Sequence, residues 1–208
     1  FIRNRSKGFA YTPIIGSVFN ACVLHYIENN KQCKKGDVIL LDVAAEYANY
    51  ASDLTRCLPV SGEFSKRQKD VYNAVLRVMR YASNLLKSGN NIIDYHNSVE
   101  KFIEEELIKL KLLSLSDVKK QNPKNPLYKK YFMHGTSHYL GLDVHDYGDR
   151  YRKFEAGMVY TCEPGIYIRE ENLGIRLEND ILITKNGNID LMKNIPIELE
   201  EIESLMQA

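Results

Sequence analysis

The chain reads as an α+β fold, with short β-rich segments before and after a central pair of amphipathic helices. Three observations predict this. The run VILLDVAAEY from Val38, and DLTRCLPV after it, are dense in β-branched and apolar residues. Between Lys66 and Leu113 the apolar residues recur at helical spacing. After His134 the pattern returns to short strands in HYLGLDV, MVYTCEPGIYI and GIRLENDILIT.

Residues 9–24 form extended pieces broken at Pro13 and Gly16, leading into the turn-prone stretch ENNKQCKKGD. The two β-rich runs that follow are expected to pair as a hairpin, although EYAN lacks the Asn-Gly pair of a tight turn. Ser65 N-caps a helix from about Lys66 to Leu86, with Val71, Val75, Val78, Ala82 and Leu85 on one face. Ser88, Gly89 and Asn90 end it. A second helix runs from about Ile93 to Leu113 and buries Val99, Phe102, Ile103, Leu107 and Leu110. Its KFIEEELIKLK run is expected to be a solvated face. QNPKNPLYKK is a loop by its two prolines, and PIELEEIESLMQA is a short closing helix.

At 208 residues, the chain has enough material for one domain with a full core. A net charge of +1 offers nothing to nucleic acid or an anionic membrane, so neither is expected as a partner. No apolar stretch approaches the ~18 residues that span a bilayer. Arg3, Arg5 and Lys7 are read as a solvated edge. Cys22, Cys33, Cys57 and Cys162 form no CxxC pair and are expected to be reduced and mostly buried, as in the cytoplasm. The opening FIRNRSKGFAYTP has no initiator Met and no signal peptide, so the chain is expected to be cut from a longer protein.

Five side chains carry the chemistry: Asp42, Asp53, His138, Glu163 and Glu178. Each carboxylate lies in or beside an apolar run, where burying an ionised group is costly without a partner. Asp42 and Asp53 lie symmetrically about the Tyr47–Ala48 midpoint, so a hairpin centred there sets them face to face. Two carboxylates so placed repel unless a cation or proton lies between them. His134, His138 and His145 crowd into HGTSHYLGLDVHD, where Gly135 and Gly141 allow close turns and imidazoles can bind metal or move protons. Strand parity puts Arg176, Glu178 and Asp180 on one face, away from Ile175, Leu177 and Ile181.

Singly, each residue has a plainer reading. Asp53 could cap a turn, Asp42 and Glu163 could face solvent, and Arg176 could simply pair with Glu178. Together, four carboxylates balance two divalent cations. One imidazole among oxygens suits Mn²⁺, Co²⁺, Zn²⁺ or Fe²⁺ and not Cu(I).

LLDVAAEYANYASDLTR, FMHGTSHYLGLDVHD, MVYTCEPGIYI and GIRLENDILIT resemble the pita-bread metallopeptidases (M24), a family that includes methionine aminopeptidase, prolidase and aminopeptidase P. HGTSHYLGLDVHD, ACVLHYIEN and the ending EEIESLM are most similar to aminopeptidase P, the Xaa-Pro aminopeptidases. The resemblance implies a pita-bread (creatinase/aminopeptidase) fold, a curved antiparallel sheet covered by helices. It implies a catalytic domain over 1–208, lacking the family's N-terminal domain and the first elements of the fold. It makes Asp42 the terminal ligand of one metal, Asp53 and Glu178 the bridges, and His138 and Glu163 the ligands that complete the second. Glu163 would also handle a proton. His25 would lie beside the substrate, His145 would hydrogen-bond the scissile carbonyl, His134 would line the proline-side pocket, and Arg176 would hold the site.

The reaction so implied is metal-assisted hydrolysis after an N-terminal residue that precedes proline, with Mn²⁺ favoured and a homo-oligomer expected. Prolidase, which cleaves Xaa-Pro dipeptides, is the nearest alternative. A non-catalytic peptide-binding relative would have lost ligands, and a creatine-type amidinohydrolase would need no metals.

Overall fold

The computed structural model describes residues 1–207. Its first half is a run of short strands: β1 (Gly8–Phe9), β2 (Ile14–Ser17), β3 (Val38–Asp42), β4 (Ala45–Tyr47), β5 (Tyr50–Ala51) and β6 (Thr55–Pro59). Three helices follow, α1 (Lys66–Leu85), α2 (Ile92–Lys109) and the single-turn α3 (Leu115–Val118). The chain then returns to sheet with β7 (Val159–Cys162), β8 (Gly165–Ile168), β9 (Leu173–Arg176), β10 (Asn179–Thr184) and β11 (Gly187–Asp190), and ends in α4 (Leu199–Met206). The pairings among these strands are antiparallel, in the orders β2-β3-β6, β1-β4-β5, β11-β10-β7 and β8-β9.

The helices form where period and caps place them. Ser65 and Gln68 close a reciprocal capping box at the start of α1, a device in which the cap is worth about 1 kcal/mol. The apolar face of α1 buries Val71, Val75, Val78 and Ala82 against β7, β8 and β9, and α2 packs on α1 through Val99, Ile103 and Leu107. Full burial of each Val, Ile or Leu contributes roughly 1.5–3 kcal/mol, so this face holds the helical layer to the sheet. Asn91 caps α2 by accepting from the amides of Ile93 and Asp94. The cysteines are free, with Cys22, Cys57 and Cys162 buried and Cys33 partly so.

Four expectations are corrected. The hairpin is centred between Ala48 and Asn49, both at positive φ in a two-residue turn, so Asp42 faces Thr55 and Asp53 is its diagonal neighbour. A shift by two positions keeps side-chain parity, and the two aspartates still share a face. The ladder also breaks between β5 and β6, which frees the Asp53 amide to donate to Asp180 Oδ2 at 3.1 Å. HYLGLDV is not a strand. It makes one bridge, Tyr139 to Tyr160, and then curls around Asp146, whose Oδ2 would lie 2.0 Å from a Cβ at Gly141. The second helix stops at Lys109 because Lys111 turns left-handed (φ 61°) and the amides of Leu112 and Leu113 close back on Leu107 O. Within KFIEEELIKLK, Glu106 is fully buried, held by Arg77 at 2.5 Å and Lys109 at 2.9 Å.

Candidate metal centre

The strand groups from the two ends of the chain meet where β6 faces the β9–β10 corner. Glu178 N donates to Thr55 O at 3.2 Å, and Arg56 Nη1 donates to Glu178 O at 2.7 Å. Arg56 also reaches Asn179 Oδ1 at 2.7 Å and Pro196 O at 2.8 Å, so one guanidinium ties the Glu178 backbone to β6 and the C-terminal segment. On the far side, the His134–His138 loop is stitched to the end of β7. Thr161 N donates to His138 O at 3.1 Å and Glu163 N to Thr136 O at 2.9 Å. These backbone links bring residues more than a hundred positions apart into one cleft.

That cleft has a volume of about 240 Å³ and is lined by all nine residues singled out in the sequence: His25, Asp42, Asp53, His134, His138, His145, Glu163, Arg176 and Glu178. Ligand atoms of Asp53, His138 and Glu178 lie within 4.8 Å of one another. His138 Nε2 is 3.4 Å from Asp53 Oδ2 and 3.4 Å from Glu163 Oε1. His138 Nδ1 lies 2.9 Å from Tyr139 O, which can only accept, so Nδ1 carries the hydrogen. In the neutral ring the Nε2 lone pair therefore points at two carboxylates. Three acceptors facing one point need a proton or a cation there, and a fixed Nδ1–H is how ligating imidazoles are usually held.

Electrostatics sharpen this. Four carboxylates share the cleft with one buried guanidinium, Arg176, whose Nη2 pairs with Asp42 Oδ2 at 2.6 Å and not with Glu178. Glu178, only 2% exposed, instead accepts from Thr55 Oγ1 at 2.6 Å. Burial, followed by the charges of Asp53 and Glu163, pushes the Glu178 carboxyl well above the usual carboxylate range. Burial also pushes Glu163 up to about 7, against the opposing pull of His138 and Arg176. Asp42 is raised by burial despite Arg176. Burial would lower His138, but the contacts with Asp53 and Glu163 raise it overall. Carboxyls shifted this way in a metal-free fold fit divalent cations, which neutralise them when bound.

The histidines divide into two kinds. His134 Nδ1 donates to Gly135 O at 2.7 Å, so its Nε2 accepts from Tyr167 OH at 2.8 Å. With both nitrogens engaged, and burial and Arg176 pushing its pKa down to about 3, His134 is a neutral wall of the cleft and not a proton carrier. His25 and His145 stand exposed on the rim. His145 packs edge-on against His138 with ring centroids 4.3 Å apart, and burial and that neighbour lower its pKa.

Sequence reasoning missed several residues here. Tyr11 donates to Asp42 Oδ1, opposite the Arg176 contact. Thr55 accepts from Arg176 Nε at 3.2 Å while donating to Glu178. Tyr167 OH accepts from Arg176 Nη1 at 3.1 Å while donating to His134. Thr55 shares strand parity with Asp53, which could have located it; Tyr11 and Tyr167 left no signal of that kind.

The family model for metallopeptidase family M24 matches residues 1–185. The Xaa-Pro aminopeptidase of Escherichia coli (strain K12) is 40% identical over 220 residues, covering all of this chain and 49% of the relative. The Xaa-Pro aminopeptidase of Haemophilus influenzae is 39% identical, covering 99% of this chain and 50% of its own. The structure of a zinc-substituted E. coli aminopeptidase P in complex with product superposes with a TM-score of 0.92 at 38% identity, over 100% of this chain and 49% of that one. The chain thus spans about half the length of the curated relatives it matches. The match over most of the chain, on a fold that gathers the five ligand-type side chains at one point, has a plain meaning: this chain belongs to metallopeptidase family M24.

Proposed function

We propose that this chain is the metal-bearing catalytic part of an aminopeptidase that hydrolyses the bond between an N-terminal residue and a following proline. The observation that carries the reading is the convergence of four carboxylates and the Nε2 lone pair of His138 on one cleft. The substrate class rests on similarity to Xaa-Pro aminopeptidases at about 40% identity across the whole chain. In this reading Asp42, Asp53, His138, Glu163 and Glu178 hold two divalent ions, with Mn²⁺ the preferred metal. In this reading the protein is also a cytoplasmic homo-oligomer.

Two such ions supply Lewis acidity that activates water and polarises a carbonyl. The chain's own side chains do the rest. Glu163, 3.4 Å from His138 Nε2 and 3.2 Å from Thr161 Oγ1, is the carboxylate placed to take a proton and return it to the departing proline nitrogen. His145 offers an N–H to the scissile carbonyl oxygen, where charge develops. Proline lacks an amide hydrogen and has a fixed φ, so its recognition must come from shape. The wall made by His134, held from behind by the buried Tyr167, provides that shape, His25 contacts the substrate from the rim, and Arg176 holds Asp42 in place.

The test is hydrolysis of a tripeptide Xaa-Pro-Yaa beside the dipeptide Xaa-Pro by the Mn²⁺-loaded full-length protein, with Asp53→Ala as control. Release of the first residue from the tripeptide, abolished in the variant, is expected. Preference for the dipeptide moves the function to a prolidase, and silence on both with metal bound removes the catalytic reading.

A further inference from the structure

The loop that carries His134 and His138 is a thin partition. Gly135 and Ser137 line the metal cleft on one side and a second cavity of about 210 Å³ on the other, which His96, Thr136 and Arg150 also line. Backbone hydrogen bonds tie this loop to β7, through His138 to Thr161 and through Thr136 O to the Glu163 amide. A retreat of the loop into the space behind would carry a metal ligand with it. Two side chains of the loop tie it to α2: Ser137 Oγ donates to Tyr95 OH at 2.8 Å, and Thr136 makes the second link. Thr136 Oγ1 lies 2.9 Å from His96 Nδ1, and His96 Nε2 lies 3.0 Å from Glu100 Oε1 one turn further along α2.

We infer that His96 is a positioning residue for the metal centre, acting through Thr136. The chemistry sets the direction of each bond. The Glu100 carboxylate takes the Nε2 hydrogen, which leaves Nδ1 as an acceptor for the Thr136 hydroxyl. Thr136 is only 1% exposed, so it does not reach a substrate and acts by holding position. Its carbonyl accepts from the Glu163 amide, and His138 lies two residues on, so one hydroxyl steadies two of the five ligand-type residues. The ring of Phe132, 6.1 Å from that of His96 and 4.7 Å from that of His134, fills the angle between the rigid helix and the loop. This inference rests on the metal-centre reading for its consequence, but the mechanical link can be measured without metal.

The experiment compares His96→Phe, Thr136→Val, the double variant and His96→Asn, which keeps an acceptor near the Nδ1 position, in the full-length protein. Hydrogen exchange of the Glu163 and Thr161 amides in chelator-treated protein is the first readout. It is expected to quicken about tenfold in His96→Phe and Thr136→Val, no further in the double variant, and to return toward the parent rate in His96→Asn. Amides in the core of α1 keep their parent rate. Direct Mn²⁺ titration is the second readout, with affinity expected to fall about tenfold, as for other residues that orient metal ligands. In turnover, kcat falls and KM stays. Unchanged exchange at Glu163 in both single variants overturns the inference even if the parent binds metal and cleaves peptide. So do single effects that multiply in the double variant, because residues acting through one bond are not additive. Changed exchange in a parent that binds no metal supports the link while removing the metal-centre reading.

Discussion

Removing the metal should leave a pH dependence of stability to which Glu163 makes a calculable contribution. Its carboxyl sits at about 7 in the metal-free fold, against an ordinary value of 4.5, because burial disfavours the charged form. Between these two values the folded chain holds a proton that the unfolded chain has lost. Stability therefore falls as pH rises through that window and levels off above about 7. A span of roughly 2.5 pH units at 1.36 kcal/mol each corresponds to about 3 kcal/mol from this group alone. Glu178 and Asp42 are shifted in the same direction and add to the slope. His134, lowered to about 3, acts in the opposite sense and weakens the fold below its ordinary value of 6.5, so chemical denaturation of chelator-treated protein at pH 5 and pH 8 is read as the difference between the parent and Glu163→Gln. Saturating Mn²⁺ should flatten the profile, since a cation replaces the proton. Glu163→Gln should make the metal-free protein more stable at pH 8 and remove about 3 kcal/mol of the slope, even as it weakens metal binding. An unchanged slope in Glu163→Gln would show that Glu163 holds no such proton in the fold.

Three further outcomes follow from particular contacts. Thr55→Val removes the hydroxyl shared by Arg176 and Glu178 and should weaken Mn²⁺ binding about tenfold with the fold intact, read by direct titration. Tyr167→Phe severs the link from Arg176 to His134; kcat/KM on an Xaa-Pro peptide should fall about tenfold, the worth of one net hydrogen bond of 1–1.5 kcal/mol. Glu106→Ala should cost about 1–3 kcal/mol in urea denaturation, because Arg77 and Lys109 lose their shared partner. Burial would raise the Glu106 carboxyl, but its two cations hold it below its ordinary value. Its contribution is therefore present above the unfolded pKa and lost as pH falls through the folded one.

What could be read from the sequence, and what could not, follows the kind of signal each residue emits. Helices α1 and α2 were legible because the apolar period runs through both and Ser65 marks the start of α1. The nine residues that line the cleft were picked out because carboxylates and clustered imidazoles in apolar runs stand out together, with His25 entering only through the family resemblance. The hairpin register was not, since Ala48 gives no hint that it takes positive φ beside Asn49. HYLGLDV alternates like a strand, yet the cage around Asp146 takes it off the sheet, an outcome decided by a contact five residues downstream of Gly141. Tyr11, Thr55 and Tyr167 are ordinary residues whose importance lies entirely in where the fold puts them. Asp180 fell on the parity face with Glu178, but its bond to the Asp53 amide depends on the break before β6.

In the proposed function, Asp42, Asp53, His138, Glu163 and Glu178 together hold two divalent ions. The most direct test is metal stoichiometry by equilibrium dialysis against Mn²⁺, in the full-length protein and its Asp53→Ala variant. Two ions per chain in the parent, with at least one lost on removing Asp53, is the predicted result. A parent that binds none, or a variant that still holds two, would rule out this ligand set.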